Sequence, residues 1–192
     1  KWTGEERNDA TYYQAPWNGE TEHELTKEYE IYRVPVYPNL RDRLLITGKL
    51  SWLRKALSLF YLVAQYLGNA FDNSSSLKNK ADEVLCNNQV DLVLATGNPY
   101  TLFKHARTLA KKHNVPWVAD YRDGWSTNEG ISSFQVVERF LYNKVLRRIE
   151  KWILADVDGI TSASPTYLDK IKNITTAPKY KTVFNGYLFE EP

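Results

Sequence analysis

Two carboxylates and a guanidinium lie close together in the chain, directly after an apolar segment. The residues 115–119 lead into Asp120, Arg122 and Asp123, and Trp125 follows two residues later. Such a group can hydrogen-bond sugar hydroxyls or hold a charged group in place. The alternative is an internal pair of aspartate and arginine that only fixes the loop. We favour a ligand site, because loops at strand ends often carry binding residues.

A second polar segment follows another apolar run, at residues 90–95. It contains Thr96, Gly97, Asn98 and Tyr100. A glycine lets a ligand approach the backbone, and free amides at the start of a following helix favour an anion or a hydroxyl-rich group. Formation of a simple turn explains the same residues equally well.

Several common chemistries have no signature in this chain. The single cysteine, Cys86, cannot form an internal disulfide, and the three histidines lack metal-ligand spacing, so the sequence implies no metal and suits a reducing cytoplasm. The P-loop, GxSxG and GxGxxG motifs are also missing. The net charge of +2 combines 25 basic with 23 acidic residues and does not indicate nucleic-acid binding.

The elements that must position these residues alternate regularly after residue 88. Apolar runs predict strands, and the segments between them have helical periodicity. The predicted strands are 90–95, 115–121, 159–162 and 180–184, and the predicted helices are 100–113, 133–155 and 164–171. This order predicts an α/β fold with a doubly wound, mainly parallel sheet and helices on both faces. Both polar segments should then lie at the carboxyl ends of strands, where such sheets bind ligands.

The first part of the chain is less regular, and we expect one domain over residues 1–192. Residues 1–28 are predicted to be an irregular or partly helical lead-in, with a short helix near 22–27. A strand is predicted over 29–36. Helical periodicity follows over 50–71 and 77–87.

The helix predicted from Leu50 to Phe71 is strongly apolar but too short to span a membrane. Lys49, Lys55 and Trp52 would suit a peripheral contact with a membrane surface. We favour the alternative, in which the helix packs against the sheet and a neighbouring helix, because helices of α/β folds are often this apolar.

The helix predicted over 133–155 carries many charges, among them Glu138 and Glu150 with basic residues three and four positions away. Pairs at this spacing are typical of a solvated helix surface. We therefore expect these glutamates to be solvent-exposed.

Four segments in order resemble the N-terminal half of the GT-B fold glycosyltransferases of family 4. They are 91–99 (DLVLATGNP), 115–125 (VPWVADYRDGW), 150–161 (EKWILADVDGIT) and 183–187 (VFNGY). The resemblance implies a Rossmann-like domain that binds the acceptor. A C-terminal half of the parent chain would bind the nucleotide-sugar donor, and the sugar would be transferred with retention of anomeric configuration.

The resemblance also implies roles for individual residues. Asp123 falls where the family has an acidic residue in the cleft, and Arg122 falls where many members have a histidine. Asn185 and Gly186 would end this half and lead towards the donor half. No cofactor is implied beyond the nucleotide-sugar substrate, and this chain alone should be inactive. A cytoplasmic enzyme is expected, at the inner face of the membrane if its acceptor is lipid-linked.

Two features leave alternatives open. The Gly-rich opening typical of the family is not visible in the first residues. Many functions also share this architecture. A non-catalytic ligand-binding or interaction domain, and half of a sugar-nucleotide epimerase, are the alternatives.

Overall fold

The computed structural model describes residues 20–35, 39–66, 75–97, 100–126 and 136–186. Contacts group the chain into two compact units, 1–84 and 85–192, and each is described by itself. The strands are β1 (Glu22–Leu25), β2 (Glu30–Arg33), β3 (Val93–Gly97), β4 (Trp117–Tyr121), β5 (Gly159–Ser162) and β6 (Tyr180–Thr182). The helices are α1 (Leu40–Thr47), α2 (Ser51–Tyr66), α3 (Ser75–Asn87), α4 (Thr101–His113), α5 (Val136–Ile153) and α6 (Pro165–Lys172).

An antiparallel hairpin begins the described part of the first unit. Strands β1 and β2 pair with Glu22 opposite Arg33. The side chain of Thr26 closes the turn, because its Oγ1 accepts a hydrogen bond from the Tyr29 amide at 3.0 Å. The short helix predicted near 22–27 is therefore wrong. Pairing with β2 decides the backbone here, and local sequence could not show that pairing.

Two helices of the first unit pack together. Helix α1, which the sequence did not predict, packs against α2. Gly48 lies between them with φ +65°, a conformation that glycine adopts without strain. Two large apolar side chains of this second helix are exposed, Trp52 by 67% and Leu59 by 63%. No helix within the described residues is both long and apolar enough to cross a membrane.

The second unit contains a four-stranded parallel sheet in the order β3-β4-β5-β6. Helices α4, α5 and α6 connect successive strands, and α4 and α6 pack directly on the sheet. This is a Rossmann-like α/β fold, which confirms the predicted fold class. All four strands and all three connecting helices were predicted from the sequence, with differences only at their ends.

Alternation along the strands separates a buried side of the sheet from a more exposed side. On the buried side, strand and helix residues form the main hydrophobic core, which includes Phe103, Trp117, Tyr121, Ile153, Ile160, Leu168 and Ile171. Burial of each large side chain contributes about 1.5–3 kcal/mol. On the other side the register aligns Thr96, Asp120 and Thr161 in one row across the sheet.

Candidate functional site

The two polar segments singled out in the sequence lie at the same edge of the sheet. Strand β3 ends at Gly97 and β4 ends at Tyr121, and the register pairs these two residues. Because the strands are parallel, both chains leave the sheet at its carboxyl edge. Ligands bind at this edge in open α/β sheets.

Asp120 is the centre of a hydrogen-bond network at this edge. Its Oδ1 accepts a bond from Thr161 Oγ1 at 2.6 Å, and its Oδ2 accepts bonds from Thr96 Oγ1 at 3.2 Å and Arg122 Nε at 3.1 Å. Only 13% of the Asp120 side chain is exposed. The carboxylate therefore links the ends of three strands, and most of its acceptor capacity is used within the protein.

Arg122 extends this network towards the last strand. Its Nη1 donates a hydrogen bond to Asn185 Oδ1, three residues after β6. About half of the Arg122 side chain is exposed, so its remaining N–H groups face solvent. We refer to Thr96, Asp120, Arg122, Thr161 and Asn185 as the carboxyl-edge cluster. Thr161 was missing from the predicted ligands, although its position at the end of a predicted strand would have indicated it.

Asp123 differs from Asp120 because its side chain is exposed. Within the described part of the chain, no hydrogen bond or ion pair engages its carboxylate. Its backbone carbonyl is held, since Tyr100 Oη donates a hydrogen bond to it at 3.0 Å. Asp123 therefore presents a carboxylate that can accept hydrogen bonds from a ligand, on a backbone that the protein fixes.

An aromatic pair lies beside Asp123. The rings of Tyr100 and Trp125 stack at a centroid distance of 4.9 Å with 7° between their planes. Burial, with a further contribution from the Asp123 carboxylate, raises the pKa of Tyr100 to about 12. Tyr100 thus stays a neutral hydrogen-bond donor at physiological pH.

Gly97 leaves the space that the aromatic ring of Tyr100 occupies. A Cβ atom at this position would lie 2.8 Å from Phe103 Cζ and 2.8 Å from the ring of Tyr100. The absence of a side chain therefore makes room for the protein's own rings. Of the other predicted ligands, Gly186 is exposed next to Asn185, and Asn98 lies outside the described residues.

Glu150 also belongs to this region, although its role was not predicted from the sequence. It lies on α5 with 0% exposure, so the expectation of a solvated side chain was wrong. Its Oε1 accepts a hydrogen bond from Tyr121 Oη at 2.7 Å, and its Oε2 accepts one from Ser126 Oγ. Burial raises the pKa of Glu150 above its ordinary value, although both hydrogen bonds act in the opposite direction.

The sequence did contain a signal for this burial. Leu146, Ile149 and Ile153 are buried on the same helix. Glu150 completes the i, i+3, i+4, i+7 spacing of that apolar row. A charged residue on the apolar side of a helix indicates a buried carboxylate with partners, rather than a surface ion pair.

No family model, curated protein or solved structure matches the chain.

Proposed function

We propose that the second unit is the acceptor-side domain of a retaining glycosyltransferase, which moves a sugar from a nucleotide-sugar to a glycan or lipid-linked acceptor. One observation carries the proposal: the exposed Asp123 carboxylate lies at the carboxyl edge of the sheet, without a partner among the described residues. The edge is the common ligand site of this fold class. The sequence resemblance described above points to the same reaction.

The side chains at this edge suit the binding of hydroxyl groups. Asp123 would accept a hydrogen bond from the acceptor hydroxyl. Arg122, which Asp120 and Asn185 hold in place, would offer its remaining N–H groups to a hydroxyl or to a phosphate oxygen. Groups fixed before the substrate binds need little reorganisation as charge develops during the reaction.

The donor and the chemical step would involve a second half of the parent protein. We propose that this half binds the nucleotide-sugar, and that the departing diphosphate accepts the proton of the acceptor hydroxyl. No general base is therefore assigned to Asp123. Its role is to orient the acceptor.

Substitution of Asp123 in the parent enzyme tests this proposal. Nucleoside diphosphate release from a panel of nucleotide-sugars, with lipid and glycan extracts as acceptors, would first identify the active pair. We then expect Asp123→Ala to lower turnover by about 100-fold, because a preorganised polar contact is lost. The melting temperature should stay near that of the wild type, since the side chain is exposed.

The matched control is Asp169→Asn, which changes an exposed aspartate on α6 that is paired with Lys172 at 2.9 Å. This variant should keep wild-type turnover. Unchanged turnover in Asp123→Ala would remove Asp123 from the acceptor site.

A non-catalytic ligand-binding domain is the second candidate. It is favoured by the internal pairing of Asp120 with Arg122, since charges already paired within the protein are less available for a chemical step. Binding of an acceptor in calorimetry, with no diphosphate release from any donor, would support this candidate. Chromatography of the nucleotide-sugar after incubation would detect an epimerase instead.

We also propose that α2 makes a peripheral contact with an anionic membrane, which would place the enzyme near a lipid-linked acceptor. Trp52 and Leu59 are largely exposed on this helix, and Lys49 and Lys55 are exposed near its start. Co-flotation with phosphatidylglycerol vesicles should be lost in Leu59→Ser and retained in Trp152→Ser, a change at an exposed tryptophan on α5. Equal flotation of both variants would exclude α2 as the contact.

A further inference from the structure

A single buried carboxylate connects α5 to both ends of the segment that carries Asp123. This segment, residues 121–126, leaves the sheet at Tyr121 and reaches Ser126. Tyr121 Oη donates to one oxygen of Glu150 at 2.7 Å, and Ser126 Oγ donates to the other. The Ser126 amide adds a further hydrogen bond.

The burial of the Glu150 carboxylate costs free energy that its hydrogen bonds must offset. Glu150 is fully buried, and removal of a carboxylate from water costs several kcal/mol unless hydrogen bonds replace the lost solvent. A leucine would suit the apolar row on this side of α5 better. It would, however, leave the hydroxyls of Tyr121 and Ser126 and the Ser126 amide without acceptors.

We infer that Glu150 is a positioning residue, which sets the place of Asp123 and Trp125 at the carboxyl edge by holding Tyr121 and Ser126. The claim that these residues belong to an acceptor site rests on the proposed function. The claim that Glu150 holds the segment does not. A carboxylate suits this role because it has two oxygens and only accepts hydrogen bonds, so one side chain binds donors on both ends of the segment.

The segment is also held from its other side. Tyr100 donates a hydrogen bond to the Asp123 carbonyl at 3.0 Å and stacks on Trp125. Loss of the Glu150 contacts should therefore displace Ser126 and Trp125 first. Trp117, which is buried in β4, should keep its surroundings.

Fluorine NMR of the chain labelled with 5-fluorotryptophan tests the inference. The chain has six tryptophans, and Trp125→Phe assigns the line of Trp125. In Glu150→Leu we expect that line to shift by more than its own width, while the Trp117 line keeps its position. In Glu150→Gln the Trp125 line should shift less than in Glu150→Leu, because the amide oxygen still accepts one hydrogen bond.

Ser126→Ala provides the decisive variant if Glu150→Leu fails to fold. It leaves the carboxylate and the core intact and removes one anchor, so the Trp125 line should again move. Glu83→Gln, at an exposed glutamate of α3, is the matched control and should change nothing. An unchanged Trp125 line in Ser126→Ala would overturn the inference, as would equal shifts of the Trp125 and Trp117 lines in folded Glu150→Leu.

Kinetic assays of the parent enzyme distinguish the positioning role from the proposed function. With a positioning role, Glu150→Gln should lower kcat/KM by about tenfold at a temperature where the variant is fully folded. If the Trp125 line moves as expected but the parent protein transfers no sugar, the positioning role stands and the proposed function fails.

Discussion

Three carboxylates of the second unit have different roles because their surroundings differ. Asp120 accepts three side-chain hydrogen bonds and joins the strand ends. Asp123, three residues later, is exposed and available to a ligand. Glu150 is fully buried and holds both ends of the segment 121–126, through Tyr121 and Ser126. Residue type alone would have given all three the same role.

The burial of Glu150 leads to a pH-dependent stability. Its raised pKa means that the folded state binds the proton more tightly than the unfolded state. Glu150 therefore contributes stability to the folded state at low pH. This stability is lost as the pH rises from about 4, the ordinary pKa of a glutamate, through the raised pKa of Glu150 in the folded state. Glu150→Gln has no such proton. The wild-type free energy of unfolding should therefore fall relative to that of the variant over this range.

Urea denaturation at several pH values measures this difference. The comparison between the two proteins cancels the titration of all other groups. A difference that stays constant between acidic and neutral pH would contradict the assigned burial of Glu150.

Substitution of Gly97 gives a second prediction for a single residue. Its missing side chain makes room for Tyr100 and Phe103, and Phe103 is fully buried and cannot move aside. We expect Gly97→Ala to lower the free energy of unfolding by about 1–3 kcal/mol, as for other overpacked positions. Chemical denaturation measures this effect. Gly186→Ala, at a position where a Cβ would meet no atom within 4 Å, is the control and should be neutral.

At the scale of elements, the end of α4 determines where β4 begins. Asn114 has φ 55° and ψ 45°, the left-handed conformation, and its amide donates to the Ala110 carbonyl. The amide of Val115 donates to the same carbonyl at 3.0 Å. This helix end turns the chain into the strand that carries Asp120.

We expect Asn114→Ala to cost about 1 kcal/mol, because alanine adopts the left-handed conformation less readily than asparagine. Asn114→Gly should be close to neutral, since glycine adopts it without a steric penalty. Thermal denaturation of the two variants provides the measurement. Equal losses in both would show that the asparagine side chain, and not its backbone conformation, is important.

At the scale of the whole molecule, the main hydrophobic core belongs to one unit. Every buried residue of this core lies between Phe103 and Ala177, within the second unit. We therefore expect a fragment of residues 75–192 to fold by itself. It should show a cooperative thermal transition and a near-UV circular dichroism signal from buried Trp117 and Tyr121. A fragment with helical far-UV but flat near-UV signal would contradict this expectation.

The order of elements in the second unit was determined by the sequence itself. Alternating apolar runs and helical periods predicted each strand, and β5 was predicted with the same bounds that the structure has, Gly159–Ser162. Such patterns are local, because each depends on residues within one element. They also predicted that the polar segments after β3 and β4 lie at one edge of the sheet, since parallel strands point in the same direction.

Only the tertiary structure decided which side chains at that edge remain available. Thr161 and Asn185 meet Asp120 and Arg122 across 41 and 63 residues of chain, and Glu150 meets Ser126 across 24. Contacts of this kind depend on strand register and on the rotation of a helix about its axis, and neither is encoded in a local pattern. The hairpin at Glu22–Leu25 has a more local cause, because pairing with the next strand, Glu30–Arg33, overrode the helical preference of the segment.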